Sequence, residues 1–169
     1  LYVNTTGSSN VAMGRDALQA NTTASNNTAI GHSSLYANTT GAFNTALGRL
    51  AGASNTTASR NTFVGQSAGT TNTTGGFNVA VGDNALLSNT TASNNTAIGK
   101  DALLANTTGS SNSSLGLNSL YGNTTGANNT AVGRSALQSN TTAANNVAMG
   151  YGALQLNTTG ANNVAIGSL

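Results

Sequence analysis

The acidic residues come first in a search for catalysis, because paired carboxylates can act as acid and base on a glycosidic bond. The chain has three of them, Asp16, Asp83 and Asp101. Asp83 and Asp101 are eighteen residues apart, close to the seventeen-residue period described below, so stacked repeats would bring them near each other. Lys100 lies one full period after Asp83, however, which favours a solvated ion pair over a catalytic dyad. The sequence therefore predicts no enzyme.

The single histidine, His32, is the only other candidate for metal or proton chemistry. No second histidine, cysteine or acid stands at metal-ligand spacing from it, which favours a surface position. Glycine-rich phosphate loops of the GK[ST] or GxGxxG kind are absent as well. We therefore predict no metal and no cofactor. Most charged residues fall at two adjacent places of the repeat, which predicts an exposed edge at Arg15, Asp16, His32, Arg49, Asp83, Lys100, Asp101 and Arg134.

The aromatic residues are candidate contacts for sugars. Tyr2, Tyr36 and Tyr121 share one place of the repeat, and Phe43 and Phe77 share another. Stacking on a sugar and filling space beside small Ala and Gly neighbours are both open interpretations, and space filling is favoured.

Every Asn-Thr-Thr triplet is an N-x-T sequon, so its asparagine is a candidate N-glycosylation site. A full column of glycans about 4.8 Å apart would crowd badly, which favours sparse or absent modification. Further sequons begin at Asn26, Asn94, Asn112 and Asn128. The triplet asparagines are Asn4, Asn21, Asn38, Asn55, Asn72, Asn89, Asn106, Asn123, Asn140 and Asn157.

Composition excludes several classes of protein. Five Lys and Arg residues against three acids leave a net charge of only +2, and aromatics make up 4% of the chain, so we expect no nucleic-acid partner. The absence of cysteine excludes a disulfide scaffold. No apolar stretch approaches the length of a membrane span, so no membrane insertion by this segment is predicted. The chain opens in the middle of a repeat, and we expect it to be a segment of a longer fibre.

The whole chain, residues 1–169, is one domain of tandem repeats. The ten triplet asparagines follow one another at intervals of seventeen residues, without insertion or deletion. We number the places of the repeat from this Asn, as place 1, to place 17. Places 1 to 3 are always Asn-Thr-Thr, place 7 is always Asn and place 11 is always Gly.

A constant period without insertions is typical of a solenoid, in which each coil stacks on the next. Seventeen residues are too few for two packed helices, so the repeat predicts an all-β, parallel β-solenoid of ten coils with one or two strands each. The segment N-[TV]-A-[IVML]-G is the strand candidate. Its alternation predicts that places 8 and 10, such as Val79 and Val81, point into the coil and that Ala80 points out. A second segment, of the "ALQA" kind, is expected to run back along the coil and to add two apolar columns.

The invariant asparagines are expected to stack as amide ladders. The expected core is thin, because each coil offers about one Val, Ile or Met, one Leu and two Ala residues, whose burial barely offsets the ordering of seventeen residues. Apolar columns on two faces predict that several chains pack together, with a homotrimer as the preferred assembly.

The motif N-x-A-[IV]-G, as in Asn27-Thr28-Ala29-Ile30-Gly31 and Asn163-Val164-Ala165-Ile166-Gly167, resembles the head repeats of YadA-like trimeric autotransporter adhesins. Similar repeats occur in phage tail fibres and other bacterial surface fibres. The resemblance covers the whole chain and implies a left-handed parallel β-roll, a homotrimer and an extracellular, cell-surface or virion fibre. It identifies no receptor.

Three functions are compatible with this pattern. The first is a non-catalytic structural and adhesive fibre module that self-associates as a homotrimer or filament and contacts a host surface or glycan. The second is an ice-binding solenoid that uses the threonine columns, although adjacent threonines on a strand leave only one of them facing outward. The third is a phage tail-fibre segment that contacts surface glycans.

Overall fold

The computed structural model describes residues 1–169 as a β-solenoid of ten coils without a helix. Each coil contributes one three-residue strand, and the strands form a single parallel sheet in sequence order. Each residue pairs with the residue seventeen positions along the chain, as Thr28 does with Thr45. The all-β, parallel solenoid prediction is confirmed. The strands are β1 Val11–Met13, β2 Thr28–Ile30, β3 Thr45–Leu47, β4 Thr62–Val64, β5 Val79–Val81, β6 Thr96–Ile98, β7 Ser113–Leu115, β8 Thr130–Val132, β9 Val147–Met149 and β10 Val164–Ile166.

The strands face the opposite way from the prediction. Ala80, at place 9, is fully buried, whereas Val79 and Val81 on either side of it are only half-buried. Place 9 therefore points into the coil, and places 8 and 10 point out. The reason is the thinness of the coil: the leucine at place 15 fills the interior, as Leu86 does at 0% exposure, and leaves room opposite for little more than a methyl group.

One exchange of side chains supports this explanation. In β4 the place-9 alanine is replaced by Phe63, which is fully buried. The place-15 leucine is then absent on two adjacent coils, where Gly52 and Gly69 stand instead. A Cβ atom on Gly52 would lie 2.6 Å from Cδ2 of Phe63, and one on Gly69 would lie closer still to the ring. The ring therefore occupies the volume that two leucines fill elsewhere.

The second predicted segment adds two buried columns, as expected, but forms no strand. Its alanines and leucines at places 14 and 15, such as Ala85 and Leu86, are fully buried. Leu86 has φ of 55°, so the chain turns here instead of extending. The turns of successive coils are joined by backbone hydrogen bonds, such as that from the Leu86 N–H to the Ala102 carbonyl at 2.9 Å.

Both asparagine columns form buried ladders, as predicted. At place 1, Nδ2 of Asn38 donates to Oδ1 of Asn21 at 3.1 Å and to the carbonyl of Gly41 at 2.9 Å. At place 7, the backbone N–H of Asn44 donates to Oδ1 of Asn27 at 2.9 Å, and its own Nδ2 donates to the carbonyl of Ala58 at 2.8 Å. These amides join each coil to the next, which explains why both places are invariant.

Positive φ angles occur at places 6, 11, 13 and 15 of the coil, so neither invariant asparagine adopts one. The invariant place-11 glycine does adopt one, with φ of 131° in Gly99. A Cβ atom on Gly99 would also lie 2.6 Å from the carbonyl oxygen of Gly116 in the next coil. Glycine is required at this turn for both reasons.

Candidate functional surface

Stacking brings Asp83 and Asp101 together, as predicted, because the backbone N–H of Asp101 donates to the carbonyl of Asp83 at 2.9 Å. The predicted ion pair between Asp83 and Lys100 is wrong, because the single ion pair in the chain joins Arg15 to Asp16 at 3.0 Å. Asp101 accepts a hydrogen bond from Nδ2 of Asn84 at 3.0 Å, and one carboxylate oxygen of Asp83 is buried without a hydrogen-bond partner.

His32 lies at place 12, on the edge of the coil that carries most of the charged residues. Its Nδ1 atom is buried without a hydrogen-bond partner, and the ring as a whole is half-buried. No group of three or more His, Cys, Asp or Glu residues is placed to hold a metal ion.

The Asn-Thr-Thr asparagines are poor acceptors for a glycan in this fold. Eight of the ten, from Asn21 to Asn140, are fully buried, and only Asn4 and Asn157 in the terminal coils are partly exposed. Because Nδ2 of each buried member donates to a neighbouring coil, a glycan on that atom is incompatible with the stack. The exposed sequons lie at place 6 instead, at Asn26, Asn94 and Asn128.

The two threonines of each triplet differ in environment. At place 2 the side chain is half-buried, and its hydroxyl donates to the carbonyl of the equivalent threonine one coil on, as Thr39 does to Thr56 at 3.1 Å. At place 3 the side chain is exposed, as in Thr57. One threonine column therefore faces solvent, as expected, although this part of the coil is not a strand.

The outer face of the sheet carries an apolar column that runs along the whole rod. Every coil places a Met, Ile, Leu or Val at place 10, and none of these ten side chains is fully buried. Ile98 is 38% exposed and Leu115 is 49% exposed. The threonine, valine and serine side chains of place 8 lie beside this column. We call this surface the outer sheet face, and it consists of places 8 and 10 of β1 to β10.

The predicted space-filling role of Phe43 and Phe77 is wrong, because each is 55% exposed at place 6 of its coil. Arg60 occupies the same place on the coil between them. Its guanidinium carbon lies 5.9 Å from the ring centroid of Phe43 and 5.3 Å from that of Phe77, which is cation–π distance for both rings. We call these three residues the aromatic–arginine cluster.

Backbone geometry makes this cluster unusual. All ten place-6 residues have positive φ, with 60° for Phe43, 62° for Arg60 and 59° for Phe77. Asparagine is the commonest residue at this place, at Asn26, Asn94, Asn128, Asn145 and Asn162, and it tolerates this conformation well. A bulky residue in this region carries strain of about 1–2 kcal/mol. At the place-15 leucines, burial of the side chain offsets this strain. The residues of the cluster are exposed, so burial offsets their strain only in part.

Sequence reasoning placed Phe43 and Phe77 in one column but missed Arg60. The signal was present, because Arg60 follows Phe43 by seventeen residues and precedes Phe77 by seventeen. The other four cations of the chain all lie at place 12, whereas Arg60 lies at place 6.

The chain contains no helix of the length and apolar character needed to cross a membrane. Comparison with protein-family models, curated proteins and solved structures finds no match to this chain.

Proposed function

We propose that the chain is a non-catalytic structural and adhesive module of an extracellular fibre, at a cell surface or on a virion, and that it assembles as a homotrimer. The observation that carries the proposal is the outer sheet face. Parallel sheets are almost always covered on both faces, yet here one face is covered by the coil and the other carries ten aliphatic side chains. A second copy of the same chain offers a matching column with the same spacing.

The shape of the molecule supports a fibre. Ten coils at about 4.8 Å each form a rod roughly 48 Å long, and the hydrogen-bonded ladders run along its axis. The exposed apolar column extends along the whole rod and is not confined to one patch. Such a surface suits lateral association of parallel rods, and the resemblance to adhesin head repeats favours three of them.

Substitution of Ile98 by aspartate tests the assembly. Because Ile98 lies on the outer sheet face and not inside the coil, Ile98→Asp is expected to leave the single coil folded. In the trimer it would place three carboxylates in an apolar contact, so we expect association at least tenfold weaker. Light scattering after gel filtration should report three chains for the wild type and one for the variant, with the circular dichroism spectrum retained.

Thr91→Asp is the matched control, because it adds the same charge at exposed place 3, away from the sheet. It should keep the mass of the wild type. A wild-type chain that runs as a monomer contradicts the trimer, and an Ile98→Asp variant with unchanged mass contradicts the interface.

Ice binding is the second candidate, and it draws on the exposed place-3 threonines repeated on successive coils. Its support is weaker, because the place-2 hydroxyls beside them already donate to backbone carbonyls. Thermal hysteresis of the purified protein is the discriminating measurement, and a clear positive result would displace the fibre proposal. In the tail-fibre alternative, the same trimeric rod belongs to a phage and contacts a surface glycan.

A further inference from the structure

The aromatic–arginine cluster is a place where the repeat departs from its own pattern on the surface. Three consecutive coils replace the small polar residues of place 6 by Phe43, Arg60 and Phe77. The column continues with Asn26 before the cluster and Asn94 after it, both exposed. The departure is therefore local, and it creates an apolar and cationic patch within a polar column.

The cluster does not serve the core. Phe43 and Phe77 are each 55% exposed, whereas the phenylalanine that fills the interior of these coils is Phe63, at 0%. All three cluster residues also hold a left-handed backbone that asparagine would adopt more easily. Strained residues that lie outside the core are commonly found at binding sites.

The chemistry of the cluster selects for a ligand that carries a carboxylate beside apolar C–H groups. The guanidinium of Arg60 has no carboxylate within ion-pair distance in this chain, so its hydrogen-bond donors face solvent while the two rings hold it in place. A guanidinium binds a carboxylate through two parallel hydrogen bonds. Phe43 and Phe77 stand two coils apart, about 9.5 Å along the axis, which is comparable with the length of a disaccharide.

We propose that the aromatic–arginine cluster binds an acidic glycan, with the carboxylate of one sugar on Arg60 and C–H groups of adjoining sugars on the exposed parts of the Phe43 and Phe77 rings that the guanidinium leaves uncovered. The amides of Asn26 and Asn94 are placed at either end of the cluster to bind sugar hydroxyls. This inference deepens the proposed adhesive function and rests on it. In a trimer the site occurs three times, so a polymeric glycan gains avidity from weak single contacts.

The test uses the full chain and oligogalacturonate as the probe, with binding followed by calorimetry and by NMR. The fully methyl-esterified oligomer is the uncharged counterpart. We expect the acidic oligomer to bind and the ester to bind at least tenfold more weakly. No binding of the acid, or equal binding of acid and ester, overturns the proposal.

A second experiment uses variants that restore asparagine, the commonest residue at place 6. Arg60→Asn and the double variant Phe43→Asn/Phe77→Asn should each weaken binding at least tenfold, while the melting temperature stays the same or rises because strain is relieved. Arg49→Asn removes the same charge from an exposed position outside the cluster and should change affinity less than twofold. Equal losses from Arg49→Asn and Arg60→Asn would show charge attraction alone and overturn the site.

The mass of each sample separates the two proposals. A wild-type trimer that does not bind the probe overturns the glycan site alone, and a wild-type monomer overturns the proposed function whatever it binds. A cluster variant that loses its trimer mass would assign these residues to the subunit contact and overturn the glycan site.

Discussion

Replacement of Asn95 by aspartate is expected to lower the free energy of unfolding by about 3–5 kcal/mol at neutral pH, the range for an uncompensated buried charge. Asn95 is fully buried in the place-7 ladder. Its Oδ1 accepts from the backbone N–H of Asn112 at 2.9 Å, and its Nδ2 donates to the carbonyl of Gly109 at 3.0 Å. Aspartate keeps the acceptor but turns the donor into a second oxygen that faces the Gly109 carbonyl.

The loss of stability should depend on pH. Burial beside a carbonyl oxygen raises the pKa of the carboxyl introduced by Asn95→Asp above its unfolded value. The folded state then binds more protons than the unfolded state between the two pKa values, so stability rises as the pH falls through the folded pKa. A protonated carboxyl can also donate to the Gly109 carbonyl, as the amide does.

Asn94→Asp is the matched control, because Asn94 is the adjacent residue and is exposed at a φ of 63°. Aspartate tolerates this conformation, so a change within about 0.5 kcal/mol is expected. Thermal and urea unfolding at neutral and mildly acidic pH measure both variants. Equal stabilities of the two variants at neutral pH would contradict the structural role of the ladder.

Truncation of Phe63 to alanine is expected to lower the free energy of unfolding by about 3–5 kcal/mol, the usual range for a buried phenylalanine. The reason is specific to its position. Gly52 and Gly69 provide no side chain to fill the space that the ring leaves, so the cavity spans two coils. Urea unfolding monitored by circular dichroism measures the loss.

The decisive control restores the alanine and leucine residues that other coils have at these places. The triple variant Phe63→Ala/Gly52→Leu/Gly69→Leu should recover most of the lost stability, because it recreates the alanine and leucine arrangement seen at Ala97 and Leu86. Gly52 and Gly69 both have φ of 58°, close to the 55° that Leu86 adopts. If the triple variant is no more stable than Phe63→Ala, the ring and the leucines do not fill the same volume.

The period and register of the solenoid could be predicted from the sequence because one inserted residue would displace every later contact. The invariance of Asn38 and Asn44 likewise indicated ladders, since stacked amides satisfy one another. The direction of the strands could not be predicted in the same way. A strand of three residues alternates only once, and the usual preference for larger side chains inside favoured Val79 and Val81 over Ala80. That preference fails because a seventeen-residue coil has room for only one leucine.

The candidate surface was harder to predict than the fold. The Asn-Thr-Thr triplet that begins at Asn72 has the composition of an exposed loop. The side-chain amide of Asn72 is nevertheless buried, because it donates to Oδ1 of Asn55 in the preceding coil and to the carbonyl of Gly75. Conversely, Phe43 and Phe77 are apolar, and their residue type therefore favoured a space-filling position over an exposed one. Neither their exposure nor their left-handed backbone is visible in the residue types, and only the stacking of three coils brings Arg60 between the two rings.

The direction of the backbone hydrogen bonds also determines how the rod responds to force. Each coil is bonded to the next along the axis, as Thr39 is to Thr56 and Asn44 is to Asn61. Tension applied between the two ends of a chain therefore loads these bonds lengthwise and peels the outermost coil first, while the coils behind it stay intact. Each coil released lengthens the chain by roughly 50–55 Å, the span of seventeen extended residues less one coil rise. A tether built this way yields in small, repeated steps instead of breaking at once.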